Sequence, residues 1–196
     1  MILYFDTETT GLNPGQICQL SYVMQTDCKT VAKNFFFMVD SIEAGAQAVH
    51  GFSVQKLKTL SGGKTFADSF FEIANDFASA ELLVSHNTAF DLGFLRAEFE
   101  RLGQILPDYN VFCSMKNSVD VCKIKRKSGG YKYPKLNELC AFLGVSDFEI
   151  AMQCKKLFDS TVGFHDARFD TTAVYLAVNS AIAVQEKFKN LKQYIR

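Results

Sequence analysis

The chain has 196 residues, 48% of them hydrophobic, with 19 phenylalanines and only three prolines, so it holds the apolar material for one domain of ordinary size and no low-complexity linker. Its 21 basic and 21 acidic side chains cancel, which excludes a long-range pull on a polyanion and leaves any attraction to nucleic acid to local patches. Six cysteines with no C-x-x-C pair and no histidines at zinc-ligand spacing argue for reduced thiols, and nowhere do about 18 apolar residues run together as a membrane span requires. The amino terminus enters a strand-like run directly, so the expectation is a soluble cytoplasmic protein with no membrane partner.

Residues 2–5 are rich in strand formers, and Asp6 and Glu8 follow two residues apart, with Gly11 close behind. Side chains alternate across a strand, so a strand that continues through both acids aims the carboxylates at one face, their Cα atoms roughly 6.5 Å apart. Carboxylates so placed need cations, donors or water, and hard divalent cations such as Mg²⁺ or Mn²⁺ take oxygen ligands of this kind. A strand that stops at residue 5 and runs into an acidic turn fits the same letters.

After the turn at Asn13-Pro14-Gly15, residues 17–24 and 34–39 read as two further strands, most simply an antiparallel meander. Residues 41–63 are small, polar and helical in patches, with Ser53 a cap for a helix over 54–60 and His50 a surface or neighbour-satisfied histidine by default. Phe66, Phe70, Ile73 and Phe77 recur on one helical face behind Thr65 as cap. Leu82, Leu83 and Val84 then make a short buried strand that ends at His86-Asn87.

Over residues 88–102 the buried stripe is Phe94, Leu95, Phe99 and Leu102, and Asp91 precedes it by three and four positions, so an acid lands on the core face. Solvent exposure, or a place complementing the helix N-terminus, is the ordinary alternative. Residues 111–115 fit another strand. The most basic stretch follows, with six positive side chains between Lys123 and Lys135, two tyrosines and a Gly129-Gly130 hinge. It suits phosphate contact and base stacking, and it equally suits a solvated loop. Leu136, Leu139, Cys140 and Leu143 give a short helix ended by Gly144.

Asp166 caps a last helix that runs to about residue 184, with Ala173, Val174, Ala177, Val178 and Ala181 as its stripe. Asp170 falls three and four positions before that stripe, and His165 lies in the entering loop. Residues 1–184 read as the domain, and 185–196 as a basic tail or a helix extension onto a partner.

If both helices pack beside the first strand, Asp6, Glu8, Asp91 and Asp170 converge, and four carboxylates stay close at neutral pH only with cations between them. Two Mg²⁺ or Mn²⁺ ions would bring four positive charges, and the chemistry such a site serves best is in-line displacement at phosphorus. A loop histidine, with an unperturbed pKa of about 6.5, takes a proton from water near neutral pH; His165 fits that role.

The segments Asp6-Thr7-Glu8-Thr9-Thr10-Gly11, His86-Asn87-x-x-Phe90-Asp91 and His165-x-x-x-x-Asp170 are similar, in order and spacing, to the three motifs of the DEDDh 3′→5′ exonuclease family. That family includes the epsilon proofreading subunit of bacterial DNA polymerase III and ribonuclease T. The resemblance runs from residue 2 to about residue 183 and implies an α/β, ribonuclease H-like fold, a mixed β-sheet with flanking helices. It implies that Asp6, Glu8, Asp91 and Asp170 bind two metal ions and that His165 is the general base. By the same resemblance Thr9, Thr10, Gly11, Asn87 and Phe90 would hold the 3′-terminal nucleotide. His50 joins them, because Val49-His50-Gly51 resembles a family element beside that nucleotide.

The implied activity is hydrolysis of phosphodiester bonds at the 3′ end of nucleic acid, single-stranded DNA first, releasing 5′-mononucleotides. RNA ends, or a proofreading subunit that acts mainly by binding a DNA polymerase subunit, are the alternatives. An endonuclease of the wider ribonuclease H-like class fits less well because of His165. The basic segment at 123–135 is the part the family explains least.

Overall fold

A computed structural model describes residues 1–195. The first strand does not stop at residue 5: β1 spans Ile2–Thr9 and carries both acids inside it. β2 (Ile17–Gln25) and β3 (Thr30–Phe36) complete the expected meander, with β3 starting earlier than the apolar run suggests. Helices α1 (Ala44–His50), α2 (Val54–Ser61) and α3 (Phe66–Ala78) lead to the short buried strand β4 (Leu82–Ser85). α4 (Thr88–Arg101) and β5 (Val111–Cys113) follow, then two single-turn helices, α5 (Ser114–Asn117) and α6 (Val119–Cys122), where a longer strand was expected. The chain closes with α7 (Leu136–Phe142), α8 (Asp147–Phe158), α9 (Ala167–Val184) and α10 (Glu186–Lys189).

Local chemistry explains the boundaries. The Asp68 carboxylate accepts from the Thr65 N–H and hydroxyl at 2.7 and 2.8 Å, which satisfies the start of α3. α8 has no counterpart in the sequence reading, yet Ser146 and Glu149 cap it reciprocally. Its hydrophobic face is narrow, since only Ile150 and Cys154 are buried, and a narrow stripe is hard to read as a period.

The sheet order is β3-β2-β1-β4-β5, antiparallel on the β2 side of β1 and parallel on the β4 side. This is the expected mixed sheet with flanking helices. Alternation along β1 divides the core in two. Leu3 and Phe5 join Phe77, Phe94 and Leu95 of α3 and α4 on one face, while Ile2 and Tyr4 join Val174, Val178 and Ala181 of α9 on the other. Residues 186–194 fold back as α10 and a 3₁₀ turn, burying Phe188 and Leu191 in the second of these clusters. No helix among the described residues is long and apolar enough to cross a membrane.

Two irregularities prepare the site. Pairing of β1 with β4 covers only Ile2 to Tyr4, so beyond that point β1 has no ladder neighbour on that side. Pairing with β2 slips between Glu8 and Thr9, whose partners are Gln19 and Ile17, leaving Cys18 as the extra residue of a bulge. The Ile17 N–H beside it donates to the buried Glu98 carboxylate at 2.8 Å.

The two-sided core makes a simple stability prediction. Phe77 is fully buried and meets Phe5 and Tyr22 edge to face, with ring centroids 5.5 Å away in both cases. Phe77→Ala should cost about 3–5 kcal/mol in chemical denaturation, whereas Phe71→Ala, at a side chain 80% exposed, should stay within about 0.5 kcal/mol of the parent.

Candidate active site

Asp6 and Glu8 lie on the α9 side of β1, in phase with Ile2 and Tyr4. Their cross-strand partners on β2 are Ser21 and Gln19, both fully buried. β2 fastens the start of α9 at these two positions. The Gln19 Oε1 accepts from the Ala167 N–H at 3.1 Å and its Nε2 donates to Asp166 Oδ1 at 3.0 Å. The Ser21 carbonyl accepts from Thr171 Oγ1 at 3.1 Å. Asp170 is thereby set beside the first strand, and carboxylate oxygens of Asp6, Glu8 and Asp170 all lie within 4.8 Å of one another.

Asp91 arrives from the opposite layer. Thr7, out of phase with Asp6 and Glu8, donates its hydroxyl to Asp91 Oδ1 at 2.8 Å, and Ser85 at the end of β4 donates to Oδ2 at 3.0 Å. Asp91 is only 2% exposed, so the solvent-facing alternative for this acid is overturned. It stands outside the close group of three, yet its charge bears on Asp6, Glu8 and Asp170. The place where it enters is the gap left when β1–β4 pairing ends.

Burial is the main reason these acids hold their protons. It lifts Asp6 well above the carboxylate range, with the charges of Asp91, Asp170 and Glu8 adding to it. Glu8 is pushed up to about 9 by burial and by Asp170 and Asp166. Asp170 rises to about 7, burial outweighing the N–H it accepts, and Asp91 also rises to about 7 despite its two hydroxyl donors. Asp166 goes the other way. Burial works to raise it, but Arg168, bonded to both its oxygens at 2.8 and 2.7 Å, and the Gln19 amide hold it below the usual carboxylate range.

The donor set fits a hard divalent cation. Asp170 Oδ2 accepts from the His165 N–H at 3.0 Å, while its Oδ1 is buried with no hydrogen-bond partner. An unsatisfied buried carboxylate oxygen beside two further carboxylates is what Mg²⁺ or Mn²⁺, as oxygen-seeking ions, would satisfy. His165 itself is exposed and adopts φ 67°, a left-handed turn that histidine tolerates better than most residues.

Two cavities flank the acids. One, of about 370 Å³, has Glu8, Thr9, Gly11, His50 and Phe90 in its wall, together with Leu12 and Val49. The other, of about 640 Å³, is bordered by Asn87, His165 and Asp170, and by Tyr133, Pro134 and Lys135. Of the residues expected at the terminal nucleotide, Thr9, Gly11, His50 and Phe90 border the first cavity and Asn87 the second. Thr10 borders neither; its hydroxyl is spent on the Gln16 main chain at 3.1 Å, closing the turn. His50 is buried, with Nδ1 accepting from the Phe52 N–H at 3.0 Å and Nε2 donating to the Thr9 carbonyl at 3.2 Å, so both nitrogens are used to brace the cavity wall. A Cβ at Gly11 would come within 2.3 Å of the Glu43 carboxylate, which would have to swing aside.

Sequence reasoning missed Gln19, Thr7, Ser85 and Arg168, which hold the acids in place. Gln19 had a signal, a polar residue inside an otherwise apolar strand; Thr7 and Ser85 had none, because a hydroxyl in a strand is ordinary.

A family model described as an exonuclease matches residues 3–178. Curated relatives include the DNA polymerase III subunit epsilon of Buchnera aphidicola from Acyrthosiphon pisum, 29% identical over 99% of this chain and 83% of that protein. The Escherichia coli K12 subunit of the same name is 31% identical over 71% of this chain. This chain spans only 58% of the length of that subunit. Among solved structures, E. coli exonuclease I in complex with a dT13 oligonucleotide superposes with a TM-score of 0.74 at 16% identity, covering 98% of this chain and 43% of that one, a likeness of fold.

The raised pKa values set a pH dependence. Above about pH 4 the unfolded chain has lost protons that the metal-free folded state still holds on Asp91, Asp170 and Glu8, so the contribution of these three groups to stability is greatest below that pH. It falls as the pH rises through about 7 and on towards 9. Thermal unfolding in EDTA should therefore show a melting temperature that declines from pH 5 to 9, and Glu8→Gln should raise it at the alkaline end. A melting temperature that climbs over that interval would be incompatible with the packed acids.

Proposed function

Because this chain belongs to the exonuclease family whose model spans residues 3–178, we propose that it is a metal-dependent 3′→5′ exonuclease that removes 5′-mononucleotides from single-stranded 3′ ends of DNA. The observation that carries this reading is the set of three carboxylates within 4.8 Å, one of them with a buried oxygen that no group among the described residues satisfies. DNA is favoured over RNA by the names of the relatives, DNA polymerase III subunits, and by the oligonucleotide held by exonuclease I. Those names also make a polymerase subunit the partner to test first.

In this reading Asp6, Glu8, Asp91 and Asp170 hold two divalent cations, Mg²⁺ or Mn²⁺. When bound, such ions activate the attacking water and stabilise the leaving oxygen of an in-line displacement. His165 takes the proton from that water. Its main-chain N–H is tied to Asp170, and the residue is open to solvent, where the proton leaves. The smaller cavity receives the terminal nucleotide. Phe90 offers a ring for stacking, Leu12 and Val49 offer apolar surface, and His50 holds the Thr9 carbonyl in the wall. The larger cavity, on the Asp170 and His165 side, takes the next part of the strand.

His165→Ala should lower turnover on a labelled single strand by roughly 10²–10⁴-fold, the usual worth of a general base, while Mn²⁺ titration by calorimetry stays near the parent. Loss of metal binding in that variant would assign His165 a different role. A 5′-labelled strand should shorten from its 3′ end in Mn²⁺ and remain whole in EDTA, and a closed circle should survive both. Cutting of the circle would replace the exonuclease reading with an endonuclease, and parallel digestion of matched RNA decides the strand chemistry.

A further inference from the structure

The basic stretch between Lys123 and Lys135 takes no part in the acid cluster, and the structure turns it into a tight hairpin. Lys125 and Tyr131 form an antiparallel bridge, and the Arg126 and Lys132 N–H groups donate to the Gly130 and Ile124 carbonyls, both at 2.9 Å. The tip needs its two glycines, at φ 88° for Gly129 and 73° for Gly130. No acid occurs between Asp120 and Glu138. Glu138 is engaged by Lys132 and Asp120 by Lys187. The exposed side chains of Lys125, Arg126 and Lys127 therefore have no carboxylate partner among the described residues.

The base of the hairpin is fastened to the active-site end of the sheet. His86, directly after β4, donates its Nε2–H to the Pro134 carbonyl at 3.0 Å and bonds through Nδ1 to Ser114 Oγ at 3.0 Å. Burial holds the His86 pKa down to about 4, so the ring is neutral and the tie persists at physiological pH. Tyr133, Pro134 and Lys135 then border the larger cavity with His165 and Asp170. From Lys127 to Tyr133 the chain can reach at most roughly 20 Å.

The acids repel phosphate and the whole chain has a formal charge of zero, so a polyanion is captured only by local positive charge. We propose that the hairpin grips the phosphates of the strand on the 5′ side of the scissile bond, with Tyr131 and Tyr133, both more than a third exposed, as stacking faces for its bases. This rests on the exonuclease reading for where the strand lies, and it adds a grip on upstream nucleotides that the acid site lacks.

The test is fluorescence anisotropy of 5′-labelled thymidylate strands in Ca²⁺, with K125A/R126A/K127A against the parent over a salt series. For a strand of about 15 nucleotides the triple variant should bind on the order of 30- to 100-fold more weakly near 0.1 M salt, and the slope of log affinity on log salt should shrink by about 2, the share of three lost phosphate contacts. Thymidine 5′-monophosphate, which on this reading fills only the smaller cavity, should bind both proteins alike. Tyr131→Ala with Tyr133→Ala should weaken the long strand about fivefold or more at an unchanged slope. Unaltered affinity and slope in the triple variant would overturn the grip. Hydrolysis of the p-nitrophenyl ester of thymidine 5′-monophosphate, measured in Mn²⁺, should be equal in parent and variant. Failure of the parent on the ester would sink the exonuclease reading, with the anisotropy still deciding the hairpin.

Discussion

Mutual repulsion among buried carboxylates is the constraint around which this molecule is arranged. Asp6, Glu8 and Asp170 crowd within 4.8 Å, Asp91 adds its charge from behind, and among the described residues only Asp166, at the edge of the group, has a cation of its own in Arg168. Left alone, such a group holds protons far above the ordinary carboxylate range. The rest of the fold must therefore supply enough apolar burial to tolerate it, and does so on both faces of the sheet, with the α3 and α4 layer on one side and the α9 layer on the other. On the proposed reading, affinity for cations would be a consequence of packing, because bound ions would relieve a cost that the core has already imposed.

Position is controlled by main-chain fastening more than by the acids themselves. Gln19 and the Ser21 carbonyl pin the first turn of α9 opposite Glu8 and Asp6, and the hydroxyls of Thr7 and Ser85 fix Asp91. These contacts account for an arrangement in which like charges stay put in the absence of any attraction between them. Glu98 plays a similar part at the bulge, holding the Ile17 N–H so that the turn after β1 faces the smaller cavity.

Much of this was legible in the chain. The strand pair Asp6 and Glu8, and the acids placed on the apolar stripes of the two long helices, were readable because period-2 and period-3.6 patterns are strong where one face is buried. The three-stranded meander followed from the same patterns, whereas the mixed sheet came from the family resemblance. α8 was not readable, since its buried face is only Ile150 and Cys154, and neither were α5 and α6, which are single turns set by their neighbours. At the site, the acids that the structure brings together were readable and their supports were not. The hydroxyls that hold Asp91 come from two strands, a juxtaposition that only the pairing register reveals. Thr10 and His50 illustrate the converse: the motifs point to both, but Thr10 borders neither cavity and its hydroxyl closes a turn, while the His50 nitrogens brace a wall.

β4 stops early, and the slot it leaves beside the second half of β1 admits Asp91 from one helical layer to meet Asp170 from the other. The separation of those two walls is thus gauged by the thickness of a hydrogen-bonded sheet, among the stiffest spacers a protein has, instead of by loops that breathe.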